Sequence, residues 1–277
     1  MPELPEVEVA SRQLRSWARG HRITAAKALR TRVIRGQAPA RFAQLEGRTL
    51  EEIERRGKWM LLRFDGGEAL LSHLGMTGKW IRRGPRDPAP SHVRASLSLE
   101  DGHVLDYRDP RLFGRLVRGT LEELREYPAL RALGPDPLLG IDKARLHQKL
   151  ASTRRSLKEA LMDQRTLAGL GNIHVGESLH RARLHPGRGG NRLQRAESDR
   201  LAAAIGESLA FALRIEDGPE PITYVEEGGE NRFLVYDRKG LPCFNCQTPI
   251  ERIVQGGRST FFCPRCQPRK PKQGKAR

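Results

Sequence analysis

The sequence has no apolar run long enough to cross a bilayer and no secretory signal. A membrane-spanning helix takes about 20 consecutive apolar residues, and no stretch of this 277-residue chain approaches that length. Residues 1–20 carry charges throughout and lack the apolar h-region that a signal peptide requires. We therefore expect a cytosolic protein with no membrane partner.

Cysteine is scarce, and its few positions are confined to one short stretch. The chain has four cysteines, which form the pattern Cys243-Phe-Asn-Cys246, sixteen residues, then Cys263-Pro-Arg-Cys266. Each CxxC pair can offer two thiolates to one tetrahedral Zn²⁺, and the spacer suits a β-hairpin. A pair of disulfides is the weaker explanation in a reducing cytosol. We predict one structural zinc, because four thiolates leave no open position for catalysis.

Acidic residues are a minority. The chain has 33 Asp and Glu against 50 Lys and Arg, which gives a formal net charge of +17. Such an excess favours a polyanionic partner, nucleic acid above all, although a merely soluble basic protein would show the same balance. A chain of 277 residues is also long enough for two domains, each with its own core.

The first half of the chain is patterned mainly as strands. Residues 3–19 place apolar side chains at near-helical spacing and predict one early helix. From about 22 to 118, short apolar or alternating runs are bounded by Gly, Pro and Asp. Hairpin turns are expected at 65–67 and 101–102, which read Asp-Gly-Gly and Asp-Gly. This pattern predicts an antiparallel sandwich or barrel.

The second half is patterned as helices. Pro128 and the Gly-Pro-Asp-Pro segment at 134–137 mark the exit from the β-rich region. No internal repeat is visible. The stretches with helical patterning are 142–151, 154–164, 171–183 and 196–215.

The N-terminus carries the strongest hint of chemistry. Removal of Met1 would leave Pro2 as a free secondary amine beside the carboxylate of Glu3. A terminal amine has a pKa near 8, so an appreciable fraction is nucleophilic at neutral pH. Attack on an aldehyde-like carbon would form a cationic iminium, a form of covalent catalysis. Taken alone, a proline-rich N-terminus is more often without function.

Six segments of the sequence form a recognisable set. They are Met1-Pro-Glu-Leu-Pro-Glu-Val-Glu8, Arg56-Gly-Lys-Trp59, His73-Leu-Gly-Met76, Asp109-Pro-Arg-Leu-Phe-Gly114, Gly171-Asn-Ile-His174 and the four-cysteine module. Together they resemble the formamidopyrimidine-DNA glycosylase/endonuclease VIII family, and within it the formamidopyrimidine-DNA glycosylase branch. The resemblance runs from residue 1 to about 268 and implies base-excision repair of oxidised purines, followed by nicking of the strand on both sides.

The implied fold is multidomain, with α and β parts. An N-terminal antiparallel β-sandwich with an early helix precedes a helix–two-turns–helix domain and a four-cysteine zinc-finger β-hairpin. The predicted division is a catalytic β domain at 1–127, a linker at 128–140, the helical DNA-binding domain at 141–235, the zinc finger at 236–268 and a basic disordered tail at 269–277.

The resemblance also assigns roles to residues of the reaction. Pro2 is implied as the nucleophile, and Glu3 as the general acid/base that protonates the sugar ring oxygen. Glu6 is implied as a supporting carboxylate, although a solvated first-turn acid favoured by the helix dipole would look the same. Lys58 is implied in the active site rather than as a strand-edge lysine. Arg258, at the tip of the zinc hairpin, is implied to grip phosphates and assist the second elimination.

The resemblance implies a second set of residues, which fill the void that the damaged base leaves in the duplex when it flips out. Apolar wedges commonly occupy such a void. Met76, Arg111 and Phe113 match the family's filling residues, and Arg111 would hydrogen-bond the orphaned cytosine. Core packing is the ordinary alternative for Met76 and Phe113. His73 and His92 are predicted DNA or active-site contacts, although a lone histidine is often only hydrogen-bonded within the fold.

Phosphate contacts are expected from the helical domain. The glycine-flanked helix start at 169–172 offers free N–H groups, and Asn172 should join that clamp. The basic stretch after the His-Gln-Lys motif is altered here, so its phosphate contact is assigned to Arg154. His174 stands where the family usually has tyrosine, which would make a phosphate contact there pH-sensitive. The segment at 216–232 looks several residues shorter than in typical bacterial members of the family, where it supplies the loop that covers 8-oxoguanine. The resemblance therefore implies formamidopyrimidines as better substrates than 8-oxoguanine.

The expected partner is double-stranded DNA containing oxidised bases or abasic sites. We expect a monomer, in the cytoplasm and associated with the nucleoid of a bacterial-type cell. One alternative is a catalytically weak zinc-finger protein that binds DNA lesions or structures; intact Pro2, Glu3 and Lys58 argue against it. The other is an endonuclease VIII-like glycosylase for oxidised pyrimidines, disfavoured by Leu4 and by the void-filling set.

Overall fold

The computed structural model describes residues 2–34, 38–216 and 231–269. Within them, the chain forms two compact units, of which one extends to Ala132 and the other begins at Leu133. No helix in these ranges is long and apolar enough to span a membrane.

Three predictions lie wholly or mostly outside the described residues. They concern the removal of Met1, the segment at 216–232 and the basic tail at 269–277.

The first unit is an antiparallel β-sandwich preceded by one helix, as predicted. Two four-stranded sheets have the strand orders β1-β6-β7-β5 and β2-β3-β4-β8, and every neighbouring pair of strands is antiparallel. The elements are α1 (Leu4–Ala18), β1 (Ile23–Ala28), α2 (Pro39–Ala43), β2 (Leu50–Arg56), β3 (Trp59–Phe64), β4 (Glu68–His73), β5 (Lys79–Arg83), β6 (Val93–Leu99), β7 (Val104–Arg108), β8 (Arg115–Thr120), α3 (Leu121–Arg125) and α4 (Pro128–Arg131).

Helix α1 packs on the core of the sandwich through its apolar face. Val7, Leu14 and Ala18 are buried on that face and belong to the same cluster as Leu62 and Leu105 of the two sheets. Burial of each such leucine contributes about 1.5–3 kcal/mol. The packing fixes the helix, and with it the residues at its N-terminus.

The second unit is helical and ends in a β-hairpin. Three of the four predicted helices are confirmed within one or two residues at each end. The second is shorter than the predicted 154–164, because Ser156 caps it by accepting the N–H of Glu159 at 3.3 Å. The elements are α5 (Lys143–Ala151), α6 (Leu157–Met162), α7 (Asn172–Arg181), α8 (Arg195–Glu216), β9 (Glu251–Gln255) and β10 (Arg258–Phe262).

Candidate active site and nucleic-acid interface

The N-terminal residues are held by a reciprocal cap at the start of α1. The side chain of Glu3, the N-cap residue, accepts the backbone N–H of Glu6, and Glu6 Oε2 accepts the N–H of Glu3 at 2.9 Å. Pro2, Glu3 and Glu6 are all buried. Glu6 is therefore not a solvated first-turn acid, since its carboxylate fixes the backbone that carries Glu3 and Pro2.

Lys58 lies in the tight turn between β2 and β3. Arg56 pairs with Trp59, so the turn consists of Gly57 and Lys58 alone. Gly57 has a φ of 58°, the left-handed region that favours glycine in two-residue hairpins. Lys58 is half-buried, and its charge acts on the imidazole of His73.

His73 is a neutral imidazole with a defined tautomer. Burial, together with the charges of Lys58 and Arg115, lowers the pKa of His73 to about 4. Its Nδ1 accepts the N–H of Gly75 at 3.0 Å, which places the ring proton on Nε2. The ring lies 4.6 Å from that of Trp59. His73 can therefore offer a hydrogen-bond donor to a ligand, but no charge at neutral pH.

A buried carboxylate organises the two loops that carry the predicted void-filling residues. Asp109 accepts hydrogen bonds from the Thr77 hydroxyl at 2.7 Å and from the N–H groups of Gly114 at 2.7 Å and Arg111 at 3.3 Å. Its own N–H donates to the carbonyl of His92 at 3.0 Å. One carboxyl residue thus connects the loop after β4, the loop after β7 and the residue before β6.

The side chains on these loops are available at the surface. Phe113 is 44% exposed, and the Arg111 guanidinium lies 5.0 Å from the centre of its ring. Arg111 and His92 are exposed and Met76 is half-exposed. Phe113 is therefore not a core residue, and the structure brings the predicted trio onto adjoining loops of one unit.

In the second unit, Asn172 is the first residue of α7. The turn before it is stabilised by Gln164. The Nε2 of Gln164 donates to the Leu170 carbonyl and its Oε1 accepts the Gly169 N–H, each at 2.8 Å. Within the described ranges, Asn172 Oδ1 accepts no hydrogen bond. The predicted phosphate contact Asn172 is thus half-buried at the start of a helix, the end that favours anions.

Arg258 lies at the tip of the zinc hairpin and is exposed. The turn before it consists of Gly256 and Gly257, both with positive φ (54° and 72°), as two-residue hairpins require. Next to this tip, the buried amine of Lys158 donates to the carbonyl of Ser259 at 3.0 Å and to the Thr260 hydroxyl. Helix α6 thereby holds the strand that presents Arg258.

Two further predictions in this unit have different outcomes. Arg154 is exposed, three residues before the first residue of α6, as a phosphate contact requires. His174 is 1% exposed, and its Nδ1 lies 3.3 Å from the hydroxyl of Ser208. The His174 side chain is therefore buried within its own unit, a position that disfavours a phosphate contact through its ring.

Glu177 is a buried anchor that the sequence did not reveal. Its carboxylate accepts the N–H groups of Leu234, Val235 and Tyr236 at 2.8, 2.9 and 3.1 Å. Since these partners are more than 50 residues away, no local pattern marks the contact. Asp109 and Gln164 were likewise missed, although Asp109 could have been noticed as the first residue of the matching Asp-Pro-Arg segment.

The four cysteines form a cluster with the dimensions of a zinc site. Their Sγ atoms all lie within 4.8 Å of one another. The Cys243–Cys266, Cys246–Cys263 and Cys246–Cys266 sulfur pairs are 3.9, 3.4 and 3.5 Å apart. A tetrahedron with Zn–S bonds of about 2.3 Å has edges of about 3.8 Å, whereas a disulfide bond is about 2.05 Å long. The residues therefore fit one Zn²⁺, and disulfides are excluded.

Comparisons with known proteins agree on one family along most of the chain. Residues 1–116 match the formamidopyrimidine-DNA glycosylase N-terminal domain, residues 133–221 the H2TH domain of the same enzyme, and residues 240–269 the zinc finger found in FPG and IleRS. Formamidopyrimidine-DNA glycosylase of Thermus thermophilus is 41% identical over 96% of this chain and 98% of its own.

Solved structures give the same result. The MutM (Fpg) protein from Thermus thermophilus superposes with a TM-score of 0.84 at 39% identity, over 98% of this chain and all of that one. Lactococcus lactis Fpg in complex with FAPY-dG-containing DNA gives a TM-score of 0.87 at 30% identity, over 96% of this chain and all of that one. With the four-cysteine cluster and the two units described above, these matches show that the chain belongs to the formamidopyrimidine-DNA glycosylase family.

Proposed function

We propose that this protein is a bifunctional DNA glycosylase and abasic-site lyase of base-excision repair, which removes oxidised purines from double-stranded DNA. The observation that carries the proposal is the buried reciprocal cap of Glu3 and Glu6, which presents Pro2 at the start of α1. Family membership supports the reaction class, and the DNA bound in the Lactococcus lactis structure contains FAPY-dG, a formamidopyrimidine.

The first step joins Pro2 to the sugar of a nucleotide that has left the stack. The Pro2 nitrogen attacks C1′ as the free amine while the glycosidic bond breaks, and the base leaves with the bonding electrons and takes up the proton that the Pro2 nitrogen loses. Glu3 then gives a proton to the ring oxygen as the C1′–O4′ bond opens, which yields an iminium on Pro2. Lys58 contacts the adjacent phosphate and the charge that develops near it.

The iminium makes the following strand cleavage possible. It acidifies the C2′ protons, so that loss of one proton breaks the bond to the 3′ phosphate by β-elimination. A second, δ-elimination then releases the 5′ phosphate, with Arg258 at the hairpin tip stabilising the leaving group. Zinc supplies no chemistry to these steps; when bound, it holds the hairpin that carries Arg258.

Two surfaces of the protein hold the duplex in this proposal. On the first unit, Met76, Arg111 and Phe113 fill the void left by the base, and His73 and His92 contact the strand. On the second unit, Asn172, Arg154 and Arg258 bind phosphates. We place the catalytic, helical and zinc-finger domains at 1–127, 141–235 and 236–268, and the protein in the cytoplasm with the nucleoid.

Formamidopyrimidines are the proposed preferred substrates, and 8-oxoguanine a poorer one. This preference rests on the short segment at 216–232, as judged from the sequence.

Borohydride trapping tests the proposal directly. Borohydride reduces an iminium to a stable amine and thus links the protein to DNA that carries an abasic site, a formamidopyrimidine or 8-oxoguanine opposite cytosine. We expect an adduct that maps to Pro2, is lost in Pro2→Gly and is strongly reduced in Glu3→Gln. The surface variant Arg131→Gln serves as a control that keeps full trapping. Tight binding with no adduct, from protein shown by mass spectrometry to lack Met1, would favour the lesion-binding alternative.

A further inference from the structure

Arg55 connects helix α1 to the turn that carries Lys58. Its Nε donates to Glu8 Oε2 at 2.5 Å, and its Nη1 donates to the carbonyl of Gly57 at 3.1 Å. The Arg55 side chain is 7% exposed and the Glu8 side chain 18% exposed, so their contact is largely shielded from water. One guanidinium thus bridges a carboxylate on α1 and the peptide group that immediately precedes Lys58.

Glu8 connects this bridge to the N-terminal end of α1, where Pro2 and Glu3 lie. It lies one turn after Leu4, and helical side chains lean towards the N-terminus. Although burial would raise its pKa, the hydrogen bonds and charges of Arg55 and Arg12 hold the pKa of Glu8 below its usual value. The carboxylate therefore stays ionised and keeps its partner throughout the neutral range.

A purely stabilising role would not require this arrangement. Buried ion pairs contribute little net stability, because desolvation cancels much of the attraction. A lysine could neutralise Glu8, but one ammonium lacks the planar fork that serves Glu8 and the Gly57 carbonyl together. What the planar guanidinium adds is a fixed orientation of the peptide group between Gly57 and Lys58, and this orientation sets the direction of the Lys58 side chain.

We propose that Arg55, held by Glu8, is a positioning residue that sets Lys58 relative to the Pro2 and Glu3 end of α1. The proposal rests on the function proposed above, since it acts through the role of Lys58 in Schiff-base chemistry. Errors of about 1 Å in the placement of a reacting group can cost about a hundredfold in rate. Arg55 should therefore affect the chemical step, while it leaves DNA binding nearly unchanged.

A double-mutant cycle with Lys58 separates positioning from general stability. Single-turnover trapping on abasic-site duplex is measured for wild type, Arg55→Met, Lys58→Met and the double variant. We expect Arg55→Met to slow trapping about tenfold to a hundredfold in the wild-type background. In the Lys58→Met background it should have no further effect beyond about twofold, because the group that it positions is gone.

Binding to a duplex with a tetrahydrofuran residue, which cannot form an iminium, provides the second measurement. Its Kd should stay within about twofold of wild type in Arg55→Met. Arg12→Gln is the matched control, since Arg12 contacts the other oxygen of Glu8 but is 45% exposed, and it should trap at the wild-type rate. If Arg55→Met does not fold, the same cycle is run with Arg55→Lys and Glu8→Gln, which keep the volume at the site.

The outcomes are distinguishable. Equal fractional losses from Arg55→Met in both backgrounds would overturn the positioning role and leave Arg55 as a stabilising residue. A parallel loss of tetrahydrofuran binding would also overturn it. Failure of the wild-type protein itself to trap would instead refute the proposed function, irrespective of Arg55.

Discussion

Replacement of Gly75 by alanine should force apart the two loops that carry Met76 and Phe113. Gly75 has a φ of +65°, and a Cβ added there would lie 2.4 Å from the carbonyl carbon of Phe113 and 2.6 Å from the N of Gly114. Those neighbours are backbone atoms held by Asp109, so no side chain can rotate away to make room. The loops themselves must move.

The loss of folding stability in Gly75→Ala has two separate contributions, one from the backbone conformation and one from the steric contact. An L-residue in the left-handed region costs about 1–2 kcal/mol, and forcing an extra methyl group into a tight contact adds about 1–3 kcal/mol. Gly67 provides the control, because it has a φ of +75° but no atom within 4 Å of the added Cβ. We therefore expect Gly67→Ala to lose about 1–2 kcal/mol and Gly75→Ala about 2–5 kcal/mol.

Urea unfolding followed by tryptophan fluorescence measures these losses in the relevant unit. The three tryptophans, Trp17, Trp59 and Trp80, all lie in the first unit. Affinity for a tetrahydrofuran duplex opposite cytosine is measured in parallel, and it should fall in Gly75→Ala only. If both variants lose the same stability and bind DNA with the same affinity, the close contact between the loops does not require glycine at position 75, and the prediction is refuted.

Two further predictions concern zinc and His73. Removal of zinc by a chelator, or Cys263→Ser, should release one Zn²⁺ per chain and abolish tight DNA binding while the tryptophan-detected urea transition stays unchanged; a shifted transition would show that the metal supports the first unit too. The pKa of His73 falls from 6.5 to about 4 on folding, so protonation favours the unfolded state as the pH drops below about 6.5. Wild type should therefore lose about 2–3 kcal/mol relative to His73→Gln between pH 7 and pH 4, and parallel pH curves of urea stability would contradict this.

Features determined by local sequence were predicted well. The early helix at 3–19 was confirmed as Leu4–Ala18, since its apolar spacing and its proline-containing first turn act within the segment itself. The antiparallel sandwich followed from short alternating runs and Asp-Gly turns. The cysteine cluster was predicted from spacing alone, because two CxxC pairs at the ends of one hairpin bring their four thiols to the same site.

Features that depend on distant partners were not predicted. The burial of His174 was not foreseen, because its neighbour Ser208 is 34 residues away and the residue type does not reveal that this part of α7 is buried. The bridge from Arg55 to Glu8 spans 47 residues, and the contact of Glu177 with Leu234 spans 57. In each case the side chain looks like ordinary surface charge until the fold supplies its partner.

Three buried acids of this basic protein share one physical function, which explains why they are compatible with a polyanionic partner. Glu6, Asp109 and Glu177 all accept backbone N–H groups within their own units. Each holds a segment in place without exposing negative charge at the surface. The exposed positions can therefore be left to side chains such as Arg111 and Arg258, whose positive charge suits a polyanionic partner. If such an acid lay at the surface instead, the protein would lose stability in the segment that the acid holds. It would also lose affinity for DNA, because the carboxylate would repel the phosphates.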